Sequence, residues 1–294
     1  MEAPVPASSL IHSATLVSAG VFVILRLYPI FESSYYSFFL LPIVGSLTAA
    51  YGGIVGAYQS DIKRILAYST ISHCGFLIFL TSFNINEFVI LYLYVHGFFK
   101  ASVFMCVGNV LRMSKNYQDF RKMGLFYKYL PFECFASFVC LVNLSGLPFS
   151  LGFYIKHLIF MGFCYNIFFY YFVMFNIFCG SLAGLFYSYR IFFYVFFDFK
   201  KASKLVYIGL NKNYLLSHYY SNTSFLSNFS IFYLIIVSYA VSFYFFSIFF
   251  NKINFFSDLN NLSNYTNYYN LFNTKNVFFL FNLSFINWFV ILFV

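Results

Sequence analysis

The chain has 294 residues, of which 62% are hydrophobic and only 9% are charged, and it contains 48 Phe and 28 Tyr. Soluble domains carry about 25% charged residues, and a soluble fold of this length cannot hide so much apolar surface from water. The composition therefore excludes a soluble enzyme, a nucleic-acid-binding domain and a secreted disulfide scaffold, and it predicts a polytopic membrane protein. The net charge of +9 then indicates basic loops on the negative side of a membrane.

Apolar stretches bounded by charged residues predict an all-α transmembrane helical bundle. A spanning helix needs about 20 mostly apolar residues. Eight stretches meet this length: Ala7–Leu27, Phe38–Tyr58, Ile62–Phe83, Phe88–Arg112, Phe132–Phe163, Ile167–Phe197, Phe229–Phe250 and Val277–Val294. The loops 198–228 and 251–276 are rich in Asn, Ser and Tyr, and neither has the apolar periodicity of a soluble domain.

The fifth predicted span is longer than a bilayer requires and contains Gly146, Pro148 and Gly152. Proline lacks an N–H donor and its ring clashes with the preceding turn, so we expect one broken helix near Pro148. A broken helix must satisfy its freed backbone groups inside protein or beside water, and such breaks are common at ion sites in transporters. Pro and Gly also occur in ordinary membrane helices, so the break alone does not define an ion site.

The N-terminal residues, the composition and the positions of Lys and Arg predict the cellular location and the membrane orientation of the chain. The start carries Glu2 where a signal or transit peptide would carry bases, so we expect no cleavable presequence. The bias to Phe, Tyr, Ile and Asn fits codons rich in A and T, which favours an organellar gene. Most of the 17 Lys and Arg residues fall on the side of the predicted bundle that holds both termini, and this side is predicted to face the matrix or cytoplasm.

Two lysines inside predicted spans are candidate proton carriers, because a charge at mid-membrane is costly and tolerated mainly for pairing or transport. Lys100 lies about 18 Å from either end of its span, and His96, four residues earlier, shares its helical face. Lys156 follows the predicted break, with His157 beside it. The alternatives are a structural bond from Lys100 to a backbone carbonyl, and snorkelling of Lys156 to the surface.

The other candidates are histidines, whereas the acids are predicted to have structural roles. His12, among small hydroxyl residues in the first span, is a candidate carrier or a packing residue. For His73, in Ser69-Thr70-Ile71-Ser72-His73, a packing role is favoured more strongly than for His12. Asp61 and Glu133 lie at the starts of spans, where a carboxylate suits the helix dipole. No predicted span centre holds an acid, so the proton path is either incomplete or takes its acids from elsewhere.

No motif in the sequence indicates a cofactor or metal site. The six cysteines form no C-x-x-C pair and are read as apolar packing residues; they are Cys74, Cys106, Cys134, Cys140, Cys164 and Cys179. The chain also has no G-x-G-x-x-G, P-loop or G-x-S-x-G motif. We therefore expect no flavin, nicotinamide, iron–sulfur cluster or metal in this chain.

Four sequence blocks follow one another along the chain: residues 1–20, Asp61–Thr70, His96–Ala101 and Gly146–Lys156. In this order they resemble the NADH dehydrogenase subunit 5 family, the antiporter-like subunits of respiratory complex I. The resemblance extends from residue 1 to about 195, and Arg121-Lys122-Met123-Gly124 also fits the family. The I-H-x-A-T element of the first block favours subunit 5 over its paralogues, subunits 2 and 4.

The resemblance implies a role in proton translocation. By position, His12, His96, Lys100 and Lys156 match the hydrophilic axis that moves protons through the membrane arm, with Lys100 as the central relay and Lys156 on the exit side. The whole complex would oxidise NADH, reduce ubiquinone and pump protons. NAD, FMN, iron–sulfur clusters and ubiquinone would be bound by other subunits. The chain itself would lie in the mitochondrial inner membrane, among its lipids, and would bind no nucleic acid.

The departures from the family predict a divided subunit. The family's helices that hold a buried glutamate and a first broken-helix lysine have no counterpart here, so we interpret the chain as the C-terminal half of a split subunit 5. Residues 1–195 would form the C-terminal portion of the proton-translocation domain, and 196–294 a divergent tail with two further transmembrane helices. A separate polypeptide would supply the N-terminal half. The alternatives are a subunit of a multisubunit Na+/H+ antiporter and a non-pumping structural subunit.

Overall fold

The computed structural model describes residues 5–33, 35–82, 86–114, 117–147, 150–153, 155–156, 169–198 and 225–258. Within these ranges the chain is almost entirely helical and has no β-strand. The predicted all-α membrane fold is therefore confirmed. Four helical stretches are long and apolar enough to cross a membrane: Leu40–Tyr58, Ile62–Thr81, Val89–Met113 and Tyr171–Phe197.

The helices follow the apolar stretches of the sequence closely. The α-helices in chain order are α1 (Val5–Ser9), α2 (Leu16–Ser33), α3 (Tyr35–Tyr58), α4 (Ile62–Thr81), α5 (Asn86–Met113), α6 (Pro131–Ser145), α7 (Phe169–Phe192) and α8 (Phe225–Asp258). Two π-helical segments, Leu10–Thr15 and Phe193–Phe197, extend α1 and α7, and two short 3₁₀ turns precede α6, Phe120–Lys122 and Phe126–Lys128.

The predicted spans agree with the described helices, except at the boundaries of the seventh span. The first seven each fall on at least one described helix, whereas Val277–Val294 lies outside the described residues, so the count of eight spans stays a prediction. The predicted break is present, because α6 ends at Ser145 and the chain is helical again at residue 151. The predicted loop boundaries around the seventh span were wrong, because α8 starts before residue 229 and continues past residue 250. Asn and Ser near the ends of α8 do not end the helix, because its backbone hydrogen bonds are made within the helix.

Helix α3 lies between α4 and α7 and contacts both through small residues. A Cβ atom on Gly75 of α4 would lie 2.4 Å from the backbone nitrogen of Ala49, and one on Gly180 of α7 would lie 2.9 Å from the Ala49 carbonyl. On α3 itself, a Cβ on Gly52 would lie 2.6 Å from the Ser72 nitrogen. These three helix backbones are therefore in direct contact, which is the usual way for membrane helices to gain packing energy.

A short backbone bridge ties the start of α4 to the turn before α6. Asp61 pairs with Asp119 in an isolated antiparallel bridge, and Ile62 donates its N–H to the Gln118 carbonyl at 3.0 Å. Asp61 occupies the N-cap position of α4, as predicted, but its side chain accepts no hydrogen bond from a helix N–H. It forms an ion pair with Arg64 at 3.3 Å instead. Asp61 and Asp119 lie outside the membrane-spanning segments.

The Asp119 carboxylate stabilises this turn at neutral pH. Arg121 donates from Nη2 to its Oδ2 at 2.8 Å and from the backbone N–H to its Oδ1 at 3.0 Å. The hydrogen bonds from Arg121 lower the pKa of Asp119. The stabilisation is therefore present above the normal carboxyl pKa and is lost as the pH falls through the lowered value.

Replacing Gly75 by alanine is expected to lower stability, because the new methyl group would meet the α3 backbone and force the two helices apart. Such overpacking costs about 1–3 kcal/mol. The measurement is the thermal midpoint of the detergent-solubilised protein. Gly20→Ala is the matched control, since no atom lies within 4 Å of its Cβ position, and it should melt no lower than the parent. Equal midpoints for the two variants would contradict the backbone contact.

Candidate functional site

Both predicted lysines are buried within the protein. Lys100 on α5 exposes 1% of its surface, and Lys156, in the helical residues after the break, exposes 6%. The alternative that Lys156 snorkels to the surface is therefore wrong in this structure. Each ammonium group needs oxygen partners where it lies, because an unpaired charge inside protein is strongly unfavourable.

The end of α6 supplies the partners of Lys156. Its Nζ donates to the Leu144 carbonyl at 2.8 Å and to the Ser145 carbonyl at 3.1 Å. The last carbonyls of a helix have no N–H partner four residues on, and they form the negative end of the helix dipole. The Lys156 Nζ also lies 5.5 Å from the centre of the Phe76 ring on α4. The break in α6 thus creates a cation site from backbone atoms.

Two features join the halves of the broken helix. Gly146 ends α6 with φ +79°, a conformation that favours glycine. Asn143 then accepts a hydrogen bond at Oδ1 from the Leu151 N–H at 3.0 Å. Gly152 lies so close to α6 that a Cβ there would overlap the Asn143 carbonyl oxygen, at 1.8 Å. The chain therefore folds back tightly and returns Lys156 to the end of α6.

Lys100 is held by a side chain of α4. Its Nζ donates to the Ser69 hydroxyl, which itself donates to the Leu66 carbonyl at 2.8 Å. Within the described residues, Lys100 therefore reaches a backbone carbonyl only through the Ser69 hydroxyl, and not by the direct bond that was the alternative. Ser69 thus links the ammonium group to the backbone of α4 through one hydroxyl.

Tyr187 of α7 connects the surroundings of the two lysines. Its side chain is buried, and its hydroxyl interacts with Ser69, the partner of Lys100. A Cβ on Gly184 would lie 3.7 Å from the Tyr187 hydroxyl and 3.9 Å from the Lys156 Nζ. The hydroxyl and the Lys156 ammonium therefore face the same point on α7. Lys156, Tyr187, Ser69 and Lys100 form a polar row across three helices and the segment after the break.

His96 is buried, and its neighbour is His73, for which the sequence favours a packing role. The two rings lie 5.0 Å apart between centroids, and His73 Nδ1 lies 2.6 Å from the Tyr92 hydroxyl. Neither Nε2 atom has a hydrogen-bond partner within the described ranges. Ser69 and His73 are four residues apart on α4, as His96 and Lys100 are on α5, and this repeated spacing was the available signal.

His12 lies in the π-helical segment Leu10–Thr15. The backbone of this segment approaches α5, since a Cβ on Gly97 would lie 3.7 Å from the Ser13 carbonyl oxygen. Gly97 is the residue after His96. π-Helical turns are frequent at functional sites, but the His12 side chain and the whole of His157 lie outside the described residues.

No described acid forms an ion pair with either buried lysine; the described ion pairs are Arg64–Asp61 and Arg121–Asp119. Glu133 lies in the first turn of α6, as predicted, and is fully buried, but its Oε1 accepts from Asn109 Nδ2 at 3.1 Å, away from the lysines. The site is a cluster of basic groups held by neutral oxygen atoms.

Fold and site together define a polytopic helical membrane protein with buried titratable groups in its interior. The family described as NADH:quinone oxidoreductase/Mrp antiporter, transmembrane region, matches residues 1–183. The chain belongs to this family, as the sequence blocks predicted.

Individual relatives agree with this assignment. The chain is 55% identical over 254 residues to NADH-ubiquinone oxidoreductase chain 5 of Paramecium tetraurelia, covering 84% of this chain and 44% of the relative. It is 41% identical over 201 residues to the chain 5 of Acanthamoeba castellanii, covering 67% and 29%. The chain thus spans less than half the length of these relatives. A match over 254 residues also includes part of the tail after residue 195.

A solved structure supports the fold. The Mrp complex from Dietzia sp. DQ12-45-1b contains a chain that superposes with a TM-score of 0.57 at 20% identity, over 66% of this chain and 37% of that one. At this level of identity the likeness concerns the arrangement of helices alone.

Ser69→Ala is expected to destabilise the protein, because it leaves the buried Lys100 ammonium without its hydroxyl partner. Hydrogen bonds to charged groups contribute about 1.5–3 kcal/mol. The thermal midpoint in detergent is the measurement. Ser188→Ala is the control, since Ser188 donates only to the Leu185 carbonyl of its own helix at 2.8 Å.

A second substitution tests the cause of that loss. Lys100→Met in the Ser69→Ala background removes the unpaired charge and should restore most of the lost stability. Additive losses in the double variant would show that the two side chains do not act on each other.

Proposed function

We propose that this chain is a proton-translocating membrane-arm subunit of NADH:ubiquinone oxidoreductase, complex I, in the mitochondrial inner membrane. It would correspond to the C-terminal half of chain 5 and contain no redox centre of its own. NAD, FMN, iron–sulfur clusters and ubiquinone would belong to other subunits. The observation that carries the proposal is the polar row of Lys156, Tyr187, Ser69 and Lys100, in a chain whose family and relatives are those of this complex.

The two lysines are suited to holding and releasing a proton. Each ammonium group is bonded to neutral oxygens, so neither is fixed in its charged form by a described carboxylate. Both lie inside the protein, where charges interact more strongly than in water because the dielectric constant is low. We propose that a proton arriving at one lysine favours release from the other through this charge interaction.

The roles follow from this coupling. Lys100 acts as the central relay, with His96 and His12 as neighbouring carriers, and Lys156 is the exit-side group. Hydroxyl groups pass protons by accepting one while donating another, so Ser69 and Tyr187 are placed to connect the two lysines. His73 joins the carriers beside His96, because the two rings lie 5.0 Å apart between centroids.

The acids of the path are proposed to come from a separate polypeptide. Within the described residues, no carboxylate forms an ion pair with either lysine. We propose that this polypeptide supplies the N-terminal helices, among the other membrane-arm subunits and the lipids of the membrane.

Isolating the intact assembly in mild detergent and identifying its chains tests these assignments. Flavin and iron–sulfur subunits, together with a separate chain carrying the N-terminal helices, are the expected result. A single longer polypeptide that contains this sequence would contradict the split, while leaving the site unchanged.

A Na+/H+ antiporter subunit is the second candidate, because the matched family's description includes Mrp antiporters. Its assembly would lack flavin and iron–sulfur subunits, and its proton movement would depend on Na+. Proton movement driven by NADH oxidation without added Na+ would exclude it.

Lys100→Met and Lys156→Met are each expected to reduce NADH-driven proton translocation at least tenfold, because methionine keeps the volume of the side chain but cannot carry a proton. Translocation is measured in sealed membrane vesicles with a pH-sensitive dye and expressed per electron transferred. Lys128→Met is the control, since Lys128 is an exposed residue before α6. Full translocation in both buried-lysine variants would favour a structural, non-pumping subunit.

A further inference from the structure

Helix α8, which lies beyond the part of the chain matched by the family, packs against the helices of the site. It contacts α5 and α6. Asn228, near its start, lies 3.4 Å from Asn109 Nδ2 on α5. Farther along, the Tyr239 ring packs edge-on against Phe99, the residue before Lys100, with 5.7 Å between centroids.

The Tyr239 hydroxyl binds Asn143, the residue that joins the two halves of the broken helix. Asn143 Nδ2 lies 2.9 Å from the Tyr239 hydroxyl and donates to the Val139 carbonyl at 2.8 Å. Its Oδ1 accepts from the Leu151 N–H at 3.0 Å. An amide group has two donor hydrogens and one acceptor oxygen, so both hydrogens and the oxygen of Asn143 are engaged, and the side chain is buried.

The Asn143 amide lies between the segment that carries Lys156 and the residues whose carbonyls bind it. The two carbonyls that bind its Nζ belong to Leu144 and Ser145, the residues directly after Asn143. On the other side of the break, Leu151 precedes Gly152, whose backbone lies against the Asn143 carbonyl. Lys156 follows Gly152 by four residues, about one helical turn. Asn143 therefore connects the segment that carries the lysine to the segment that carries its acceptors.

We propose that Tyr239 is a positioning residue for Lys156, acting through Asn143. By accepting from Nδ2 beside the Val139 carbonyl, the hydroxyl holds the amide with Oδ1 towards the Leu151 N–H. The break then keeps one geometry, and the Leu144 and Ser145 carbonyls stay within reach of the ammonium group. Through this contact α8 takes part in the site, although it carries none of the proton carriers. The inference rests on the proposed role of Lys156 in proton translocation.

Tyr239→Phe tests the proposal in the full chain within its native assembly. The substitution removes one hydroxyl and keeps the ring that packs on Phe99. Proton translocation per electron should fall roughly two- to tenfold, the effect of one hydrogen bond. Tyr233→Phe is the matched control, since Tyr233 lies on the same helix and exposes 57% of its surface. It should pump as the parent does, and unchanged pumping in Tyr239→Phe would overturn the proposal.

A double-mutant cycle shows whether the hydroxyl acts through Asn143. Asn143→Leu should reduce pumping at least as much as Tyr239→Phe, and adding Tyr239→Phe to it should cause no further loss. Losses that multiply would overturn the proposed route.

The pH dependence of pumping is a second measurement. In Tyr239→Phe the pH at half-maximal pumping should shift by about half a unit or more. The other titratable groups near Lys156, namely His73, Lys100 and Tyr187, are not substituted in this variant. A merely loosened fold would lower pumping without moving this midpoint.

Lys156→Met in the same vesicles separates the two proposals. Loss of pumping in Lys156→Met with none in Tyr239→Phe would overturn only the positioning role. Full pumping in Lys156→Met would overturn the proposed function of Lys156, and the positioning role with it.

Discussion

The burial of two lysine ammonium groups without a described acid beside them is the constraint on which the arrangement of this protein depends. A buried cation must be given oxygen atoms, and here they come from a helix end and a hydroxyl. Helix α6 has to stop at Ser145 so that its last carbonyls remain available to Lys156. Helix α4 has to present Ser69 at the level of Lys100 on α5. The break and the helix register are therefore parts of the site.

The small residues of α3 make this register possible. Because Gly52 meets the Ser72 backbone and Ala49 meets Gly75 and Gly180, α4 and α7 are each drawn against α3 at a fixed height. That height puts Ser69 and Phe76 of α4 and Gly184 of α7 around the lysines. In a membrane, where apolar side chains gain little by leaving lipid, such close packing supplies much of the driving force for association.

The sequence predicted the parts of the site that depend on spacing along one helix, but it could not predict the contacts between helices. Lys100 and His96 share a face at a spacing of four, and Gly146 and Pro148 mark the break within one segment. A packing role is the sequence prediction for His73, and its contacts with His96 and Tyr92 involve another helix, so no local pattern reports them. Asn143 and Tyr239 are 96 residues apart in sequence, and no local pattern connects them. The true ends of α8 were missed because hydropathy reports lipid contact and not helix length.

The contact of α3 with α4 also restricts how the protein can change shape. Where two backbones touch through glycine, no side chain lies between them to change rotamer and absorb a sliding motion. These contacts therefore resist sliding of α4 and α7 along α3. A shift of α4 along its axis would carry Ser69 away from Lys100 on α5, so the glycine contacts that pack the helices also keep the hydroxyl partner of that lysine in reach.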